Sequence, residues 1–330
     1  MTDPRLRFGV IGVGIIGRQH VARLLSDDSP ADLIAIADVS EDAARAVAAE
    51  HGTVAETVDG LFARDDIDAV VIAIPSGLHA ETAVAALDAG KHVLLEKPID
   101  VTVDAADRII DAERRSGKVL TVVSQRRFAP ENQFLREAIQ QGDLGKITSA
   151  NIEIALWRTQ EYYDSGAWRG TWKLDGGGAL MNQGVHMVDL ILWLLGDVEE
   201  VHAYGGLLAH ERIEVEDTIA ITARFASGSM LTFLASTTAN GELPIRVAVM
   251  GDGGVAVTLD EQYAHFTTAN GREVPDFEPN DVGMAGLNDF VAAVQNGHAP
   301  LVTSQQARAA VAFIEAAYDS MRTGKPVVPR

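Results

Sequence analysis

Cysteine is absent from this chain, and that one gap removes several chemistries at once. Disulfides, thiolate nucleophiles, iron–sulfur ligation and cysteine zinc sites are excluded. Positive charge is scarce too: Lys and Arg total 27 against 47 Asp and Glu, a formal net charge of −20. A surface of that sign repels phosphate backbones and anionic lipids, so neither nucleic acid nor a membrane is expected as a partner. No uninterrupted apolar run nears the roughly 18 residues of a membrane span. The opening stretch from Met1 to Arg7 has no basic-then-apolar signal pattern, and the expected location is the cytoplasm.

What is present reads as an ordinary globular chain. Its 330 residues are 47% hydrophobic and 22% charged, and that length exceeds one typical core, so two domains are expected. Leu6 to Ile11 form a short apolar run that ends in Gly12-Val13-Gly14-Ile15-Ile16-Gly17, with an amphipathic segment after it. This is the strand, tight turn and helix of a dinucleotide fingerprint, in which Gly12, Gly14, Ile15, Ile16 and Gly17 would meet the pyrophosphate. A second apolar strand, Leu33 to Ala37, ends in Asp38, at the spacing where a carboxylate accepts ribose hydroxyls. No Arg or Lys adjoins Asp38 to hold a 2′-phosphate, which favours NAD over NADP, with Arg45 on the next helix left as a candidate to reach it.

Strands and helices go on alternating to about residue 125, the pattern of a parallel sheet wound on both faces. The fold class expected is therefore α/β, with a doubly wound Rossmann domain over 1–125 and a second domain over 126–330. In that second part, an alternating run at 146–156 and strand-like runs at 199–208, 217–225, 230–236, 244–250 and 254–259 suggest a mostly antiparallel sheet. Two helices close the chain, and the last, over about 304–322, is a candidate to pack back on the first domain.

In open parallel sheets ligands bind beyond the carboxyl ends of the strands. Two further segments reach that edge. Pro75-Ser76 precedes His79, which opens a helix as a structural residue or a minor cofactor contact, and Glu96-Lys97-Pro98 ends a strand with a candidate cis bond before Pro98. Farther on, a helix introduced by Asp175-Gly176-Gly177-Gly178 is apolar on nearly every side. At about 100° per residue its Asn182, His186 and Asp189 fall within roughly 60° of each other as one polar stripe.

These segments together resemble the Gfo/Idh/MocA oxidoreductases, the family of glucose-fructose oxidoreductase and inositol dehydrogenase. The resemblance spans the chain and rests on GVGIIG at 12–17, IPSGLHA at 74–80, EKP at 96–98, QRRF at 125–128 and DGGGALMNQGVHMVD at 175–189. It implies a Rossmann domain, a C-terminal α/β domain with a large open sheet that commonly forms dimers or tetramers, and hydride exchange at a carbon of a sugar or cyclitol. It also implies that Lys97 is the active-site lysine and His186 the catalytic histidine. Histidine, with an ordinary pKa near 6.5, suits proton cycling at neutral pH, and a lysine ammonium would stabilise a developing alkoxide. The two roles could be exchanged.

The family often has aspartate four residues before the histidine, where this chain has Asn182. One negative group fewer leaves room for an anionic substrate such as a sugar acid or sugar nucleotide. Arg126, Arg127, Arg158 and Arg169 are candidate anion contacts; Trp157, Trp168 and Trp172 are candidate faces for a pyranose ring, or a loop packed on its own aromatics. Asp189 orients His186 or plays a structural part. No metal is expected, since a His and a carboxylate three apart lack a third ligand. Two other readings stand open: a glycosidase that retains NAD and uses transient oxidation, and a cofactor-sensing regulator without catalysis.

Overall fold

The structure, a computed structural model, describes residues 5–330. Met1 to Pro4, part of the stretch read above for a signal pattern, lie outside the described residues. The chain divides into two compact units: the residues up to Asp100 with Asp104–Val123 and Asp281–Arg308, and Val101–Val103 with Ser124–Asn280 and Ala309–Arg330.

The N-terminal part runs β1 (Leu6–Ile11), α1 (Ile15–Leu24), β2 (Ala31–Ala37), α2 (Glu41–His51), β3 (Val54–Glu56), α3 (Val58–Ala63), β4 (Ala69–Ile72), α4 (His79–Asp88), β5 (His92–Leu95), α5 (Val103–Ser116) and β6 (Leu120–Val122). Then follow α6 (Pro130–Gln140), β7 (Ile147–Ala155), α7 (Gln160–Asp164), α8 (Val185–Leu195), β8 (Val198–Gly206), β9 (Thr218–Phe225), β10 (Met230–Ser236), β11 (Arg246–Gly251), β12 (Gly254–Leu259) and β13 (Gln262–Thr268). Two helices, α9 (Val282–Asn296) and α10 (Ser304–Thr323), end the chain.

In the first unit six parallel strands lie in the order β3-β2-β1-β4-β5-β6. β4 reads Ala-Val-Val-Ile with every residue buried, the continuous apolar run of a strand covered on both faces. The strand order reverses at β1, which has β2 on one side and β4 on the other, so the turns leaving β1 and β4 open at the switch point of the sheet. Ser40 caps α2 by accepting from Ala43 N, and Gly52 ends it in a left-handed conformation.

The chain first changes unit at Val101, returns at Asp104 and changes again at Ser124, and the segment from Asp281 to Arg308 groups with the first unit. The reason is α9. Its Met284, Leu287, Phe290 and Val291 join one core with Phe8, Val10 and Val21, and the Phe8 and Phe290 rings stand 5.8 Å apart. Asp281 caps this helix by accepting from Gly283 N and Met284 N. α10 begins with a reciprocal cap in which Gln306 N donates to Thr303 Oγ1 and Thr303 N to Gln306 Oε1, each at 3.3 Å. Its first residues belong to the first unit and the rest to the second.

The second unit holds a seven-stranded sheet in the order β13-β12-β11-β7-β10-β9-β8. Only β7 and β10 pair in parallel; the other neighbours are antiparallel. β9 alternates buried and exposed residues along its length, the pattern of a sheet with one face packed. The edge strand β13 had no clear sequence signal because its residues are mostly polar and none is buried. Among the described residues no helix is long and apolar enough to cross a membrane.

Candidate active site

The glycine turn after β1 shows why each glycine is needed. Gly12 has φ of +90°, and a Cβ there would collide with the Ala73 carbonyl; a Cβ on Gly17 would collide with the Gly12 carbonyl. These two positions let α1 lie against the strand ends. Gly14 differs: nothing lies within 4 Å of its would-be Cβ. That open space adjoins the start of α1, where no side chain caps the helix. An uncapped helix start with free approach to the backbone suits a pyrophosphate. Ile15 is 72% exposed at the same edge.

Asp38 is held by two backbone donors, Val13 N to Oδ2 and Ser40 N to Oδ1, both at 2.8 Å. It therefore links the glycine turn to the end of β2. Each carboxylate oxygen keeps a lone pair for a ribose hydroxyl. Arg45 is already bonded to Glu41 at 2.9 Å and to Asp42 at 2.7 Å within its own helix. Exchanging Asp38 for Asn is expected to weaken NAD binding by about 1.5–3 kcal/mol, roughly ten- to a hundredfold, and to narrow the preference over NADP. Calorimetric titration with both cofactors checks this, and unaltered NAD affinity would refute the role given to the carboxylate.

Lys97 is half-buried and set by its neighbours. Glu96 N donates to Ile72 O at 3.0 Å, continuing the sheet, and the Lys97–Pro98 bond is cis. Glu96 is nearly enclosed: Oε1 meets His20 Nε2 at 2.8 Å and Oε2 accepts from Lys97 N at 3.2 Å. Burial works to raise its carboxyl, but the His20 hydrogen bond and the charges of His20 and Lys97 outweigh it and hold it below the usual range. Glu96 thus anchors the lysine loop to α1. His79, expected as a structural residue or a minor cofactor contact, is fully buried, with Nδ1 2.8 Å from Pro98 O and Nε2 3.0 Å from Ile74 O. Burial pushes its pKa down against the pull of both carbonyls. It ties the loop after β4 to the loop after β5, with Pro75 and the buried Ser76 in the turn between β4 and α4.

In the second unit, the polar helix opens with wide π-type turns over Ala179–Gly184 before α8 continues it. This changes the stripe. Asn182, Gln183 and His186 are half-exposed, whereas Asp189 is buried. Gln183, which ideal α-helical spacing sets about 100° from Asn182, joins the accessible group, and the sequence reading missed it for that reason. Asn182 donates to Asp175 Oδ1 at 2.6 Å, and the buried Asp175 also accepts from Gly170 N at 2.8 Å. The carboxyl group that the sequence lacks at position 182 lies one hydrogen bond away, at Asp175.

Gln183 connects this stripe to the loop before it. Its Nε2 donates to Asn182 Oδ1 at 2.9 Å, and its Oε1 accepts from Arg158 at 3.2 Å. Arg169 donates to the Tyr162 hydroxyl at 2.7 Å, with its guanidinium 4.3 Å from the Tyr162 ring centre and 4.4 Å from that of Trp168. Arg158 also faces Glu242 at 3.3 Å, while among the described residues no carboxylate pairs with Arg169. Trp157 lies near His210, at 6.4 Å between rings, and Trp172 packs edge-on against Tyr318 at 5.1 Å. Arg126 is paired with Glu261 at 3.0 Å.

Arg127, a candidate anion contact in the sequence, is engaged in the interior. It is 1% exposed and forms a two-bond pair with Asp189, at 2.8 and 2.7 Å. Burial pushes the Asp189 carboxyl up, while the Arg127 charge and hydrogen bonds from Arg127 and Ser124 pull it back. Asp189 therefore serves packing between α8 and the turn that carries Arg127. Among the described residues no group of three or more His, Asp or Glu side chains is arranged to hold a metal ion.

A parallel sheet with an open glycine turn at its switch point and a carboxylate placed for ribose hydroxyls defines a dinucleotide-binding protein. Residues 6–124 match the oxidoreductase family with an NAD-binding Rossmann fold, and residues 132–257 match the GFO/IDH/MocA C-terminal domain. The chain belongs to this GFO/IDH/MocA family and is an NAD-dependent oxidoreductase of the class acting on CH–OH groups. It is similar to the WlbA dehydrogenase of Bordetella pertussis, solved in complex with NADH and UDP-GlcNAcA, with 31% identity, 98% of this chain and 99% of that one covered, and a TM-score of 0.91. An inositol 2-dehydrogenase of Rhizobium meliloti is 28% identical over 96% of this chain and 97% of its own. A 4-carboxy-2-hydroxymuconate-6-semialdehyde dehydrogenase of Sphingobium sp. is 28% identical over 89% of this chain and 92% of its own.

Proposed function

We propose that the enzyme exchanges hydride between NAD and a secondary alcohol or ketone of an anionic sugar derivative, a sugar acid or sugar nucleotide. The observation that carries the anionic choice is Arg169, a guanidinium clamped between Trp168 and Tyr162 without a carboxylate partner among the described residues. In a chain of net charge −20 such a cation is notable, and a ligand carboxylate or phosphate is its natural counter-ion. Similarity to an enzyme solved with UDP-GlcNAcA supports the same choice. The inositol and muconate relatives mark how widely substrates vary on this fold.

Bound NAD supplies the hydride acceptor, or donor in the reverse direction. Gly12, Gly14, Ile15, Ile16 and Gly17 hold its pyrophosphate, Asp38 its ribose, and Pro75 and Ser76 the neighbouring edge. His186 takes the hydroxyl proton and Lys97 stabilises the oxygen as negative charge grows on it. Asn182, fixed by Asp175, orients the substrate through its side-chain amide. Arg158 and Arg169 receive the anionic group, while Trp168, Trp157 and Trp172 supply apolar faces for the sugar. The enzyme works in the cytoplasm as a homodimer or homotetramer. The open face of the seven-stranded sheet, where Tyr204 and Met230 are 70% and 62% exposed, is the surface offered to a second copy.

A thermal-shift screen with NADH and inositols, aldoses, sugar acids and sugar nucleotides tests the substrate class, since productive ligands stabilise the folded complex. The acidic sugars are expected to give the largest shifts. Arg169→Ala is expected to weaken the acidic ligand by about 1.5–3 kcal/mol, roughly tenfold or more, and to leave neutral sugars unchanged. A neutral cyclitol that outperforms every acid would overturn the anionic assignment.

A further inference from the structure

The helix bearing the polar stripe is capped from a distant part of the same unit. The first N–H groups of a helix lack partners inside it. Here Gly178 N donates to Glu216 Oε2 at 2.9 Å, Leu180 N to Oε1 at 2.8 Å, and Ala179 N to the Glu216 carbonyl at 3.0 Å. Met181 N donates to the Tyr318 hydroxyl at 3.3 Å, which donates in turn to Glu216 Oε1 at 3.0 Å. One glutamate and one phenol thus satisfy the whole first turn. The approach is close enough that a Cβ on Gly177 would collide with the Tyr318 hydroxyl, and one on Gly178 with the Glu216 carbonyl. Asn182 N closes onto Gly178 O at 3.0 Å, so the register of the stripe is tied to this cap.

We propose that Glu216 is a positioning residue for the reaction: by fixing the turn from Gly178 to Met181 it sets the placement of Asn182 and His186. The inference rests on the roles given above to those two side chains. The ionised carboxylate accepts all three side-chain-directed bonds; protonation neutralises it, turns one oxygen into a donor and weakens the charge-assisted bonds that it accepts. Burial pushes the Glu216 carboxyl up to about 7, against the pull of the Leu180, Gly178 and Tyr318 hydrogen bonds. The titratable groups around it are Tyr318 on α10, Tyr163 on α7 and Asp175 before the helix, which with Glu216 acts on Tyr163. Burial holds Tyr163 up at about 12 and Tyr318 well above its ordinary value, so neither phenol changes charge near neutrality. The cap therefore passes between its two forms close to pH 7.

Stability and positioning then move in opposite directions. A carboxyl raised from 4.5 to about 7 contributes stability that is full below the lower value and is lost as pH rises through the higher one. The ionised cap orders the turn but costs the fold. Glu216→Gln, an uncharged isostere, is expected at mildly alkaline pH to melt no lower than the parent protein. With NAD and the alcohol found in the screen, its kcat is expected to fall about ten- to a hundredfold while KM for NAD stays unchanged.

The decisive test needs no substrate. In the ligand-free full chain, the amide resonances of Gly178 and Leu180 and the side-chain amide of Asn182 are followed from mildly acidic to mildly alkaline pH. In the parent protein all three should titrate together with a midpoint near 7; in Glu216→Gln the Asn182 signal should stay at its acidic position throughout. Identical Asn182 and His186 signals in both proteins at both ends of the titration would reduce Glu216 to a structural cap and overturn the proposal. If Glu216→Gln does not fold, Tyr318→Phe is read the same way: a displaced Asn182 signal supports the proposal and an unmoved one overturns it. Full activity in His186→Ala would instead sink the catalytic reading, and the Asn182 titration would still report on Glu216.

Discussion

Alanine at position 186 is expected to lower single-turnover hydride transfer by about 10²–10⁴-fold, the usual contribution of a positioned acid–base group. NAD binding should be unaffected, because every residue assigned to the dinucleotide lies in the first unit, whereas His186 lies in the second. The loss should appear in kcat and in kcat/KM alike, as expected when an interaction is made only in the transition state. His186 is half-exposed on a helix whose other side chains are largely buried, so its removal leaves the core intact. A melting temperature close to that of the parent protein, measured alongside, separates lost chemistry from lost fold. If His186→Ala turned over within a few-fold of the parent, proton transfer would have to be reassigned, with Lys97 first in line.

The second large effect is on stability and needs neither cofactor nor substrate. Arg127 and Asp189 are 1% and 5% exposed at their side chains and share two hydrogen bonds. Asp189→Ala strands a guanidinium in the interior, and removing one partner of such a pair typically costs about 3–5 kcal/mol. Arg127→Met should be as damaging for the converse reason. The double exchange, Arg127→Met with Asp189→Leu, removes both charges together and should recover most of the loss. Denaturant unfolding of the three proteins gives the cycle. Single variants that lose less than about 1 kcal/mol would place the pair among the weak surface bridges, contrary to its burial.

That pair also shows where sequence reading stops. Arg127 stands in a motif and carries a charge, so it reads as an anion contact; its true partner is 62 positions away, and nothing local announces it. The glycine turn was legible because backbone geometry demands glycine at fixed spacing, and Gly12 and Gly17 have no room for a side chain. The strands of the second sheet were legible from alternation, except β13, whose polar edge position carries little pattern. Gln183 was hidden by the π-type turns, because a wheel drawn at α-helical spacing puts it off the stripe. α9 reads correctly as a helix, but its return to the first core depends on long-range packing around Phe8 and Phe290. Glu216 gave no signal at all, lying 38 positions from the glycine whose N–H it accepts.

Counting products tests the proposed hydride exchange most directly. Parent protein and NAD are incubated with the acidic sugar that gives the largest thermal shift, and reduced nicotinamide is measured against oxidised sugar. The two are expected in equal amounts, with both suppressed together in His186→Ala and in Lys97→Ala. A free sugar released with no net reduced nicotinamide, or reduced nicotinamide formed at parental rates in both variants, would contradict that exchange.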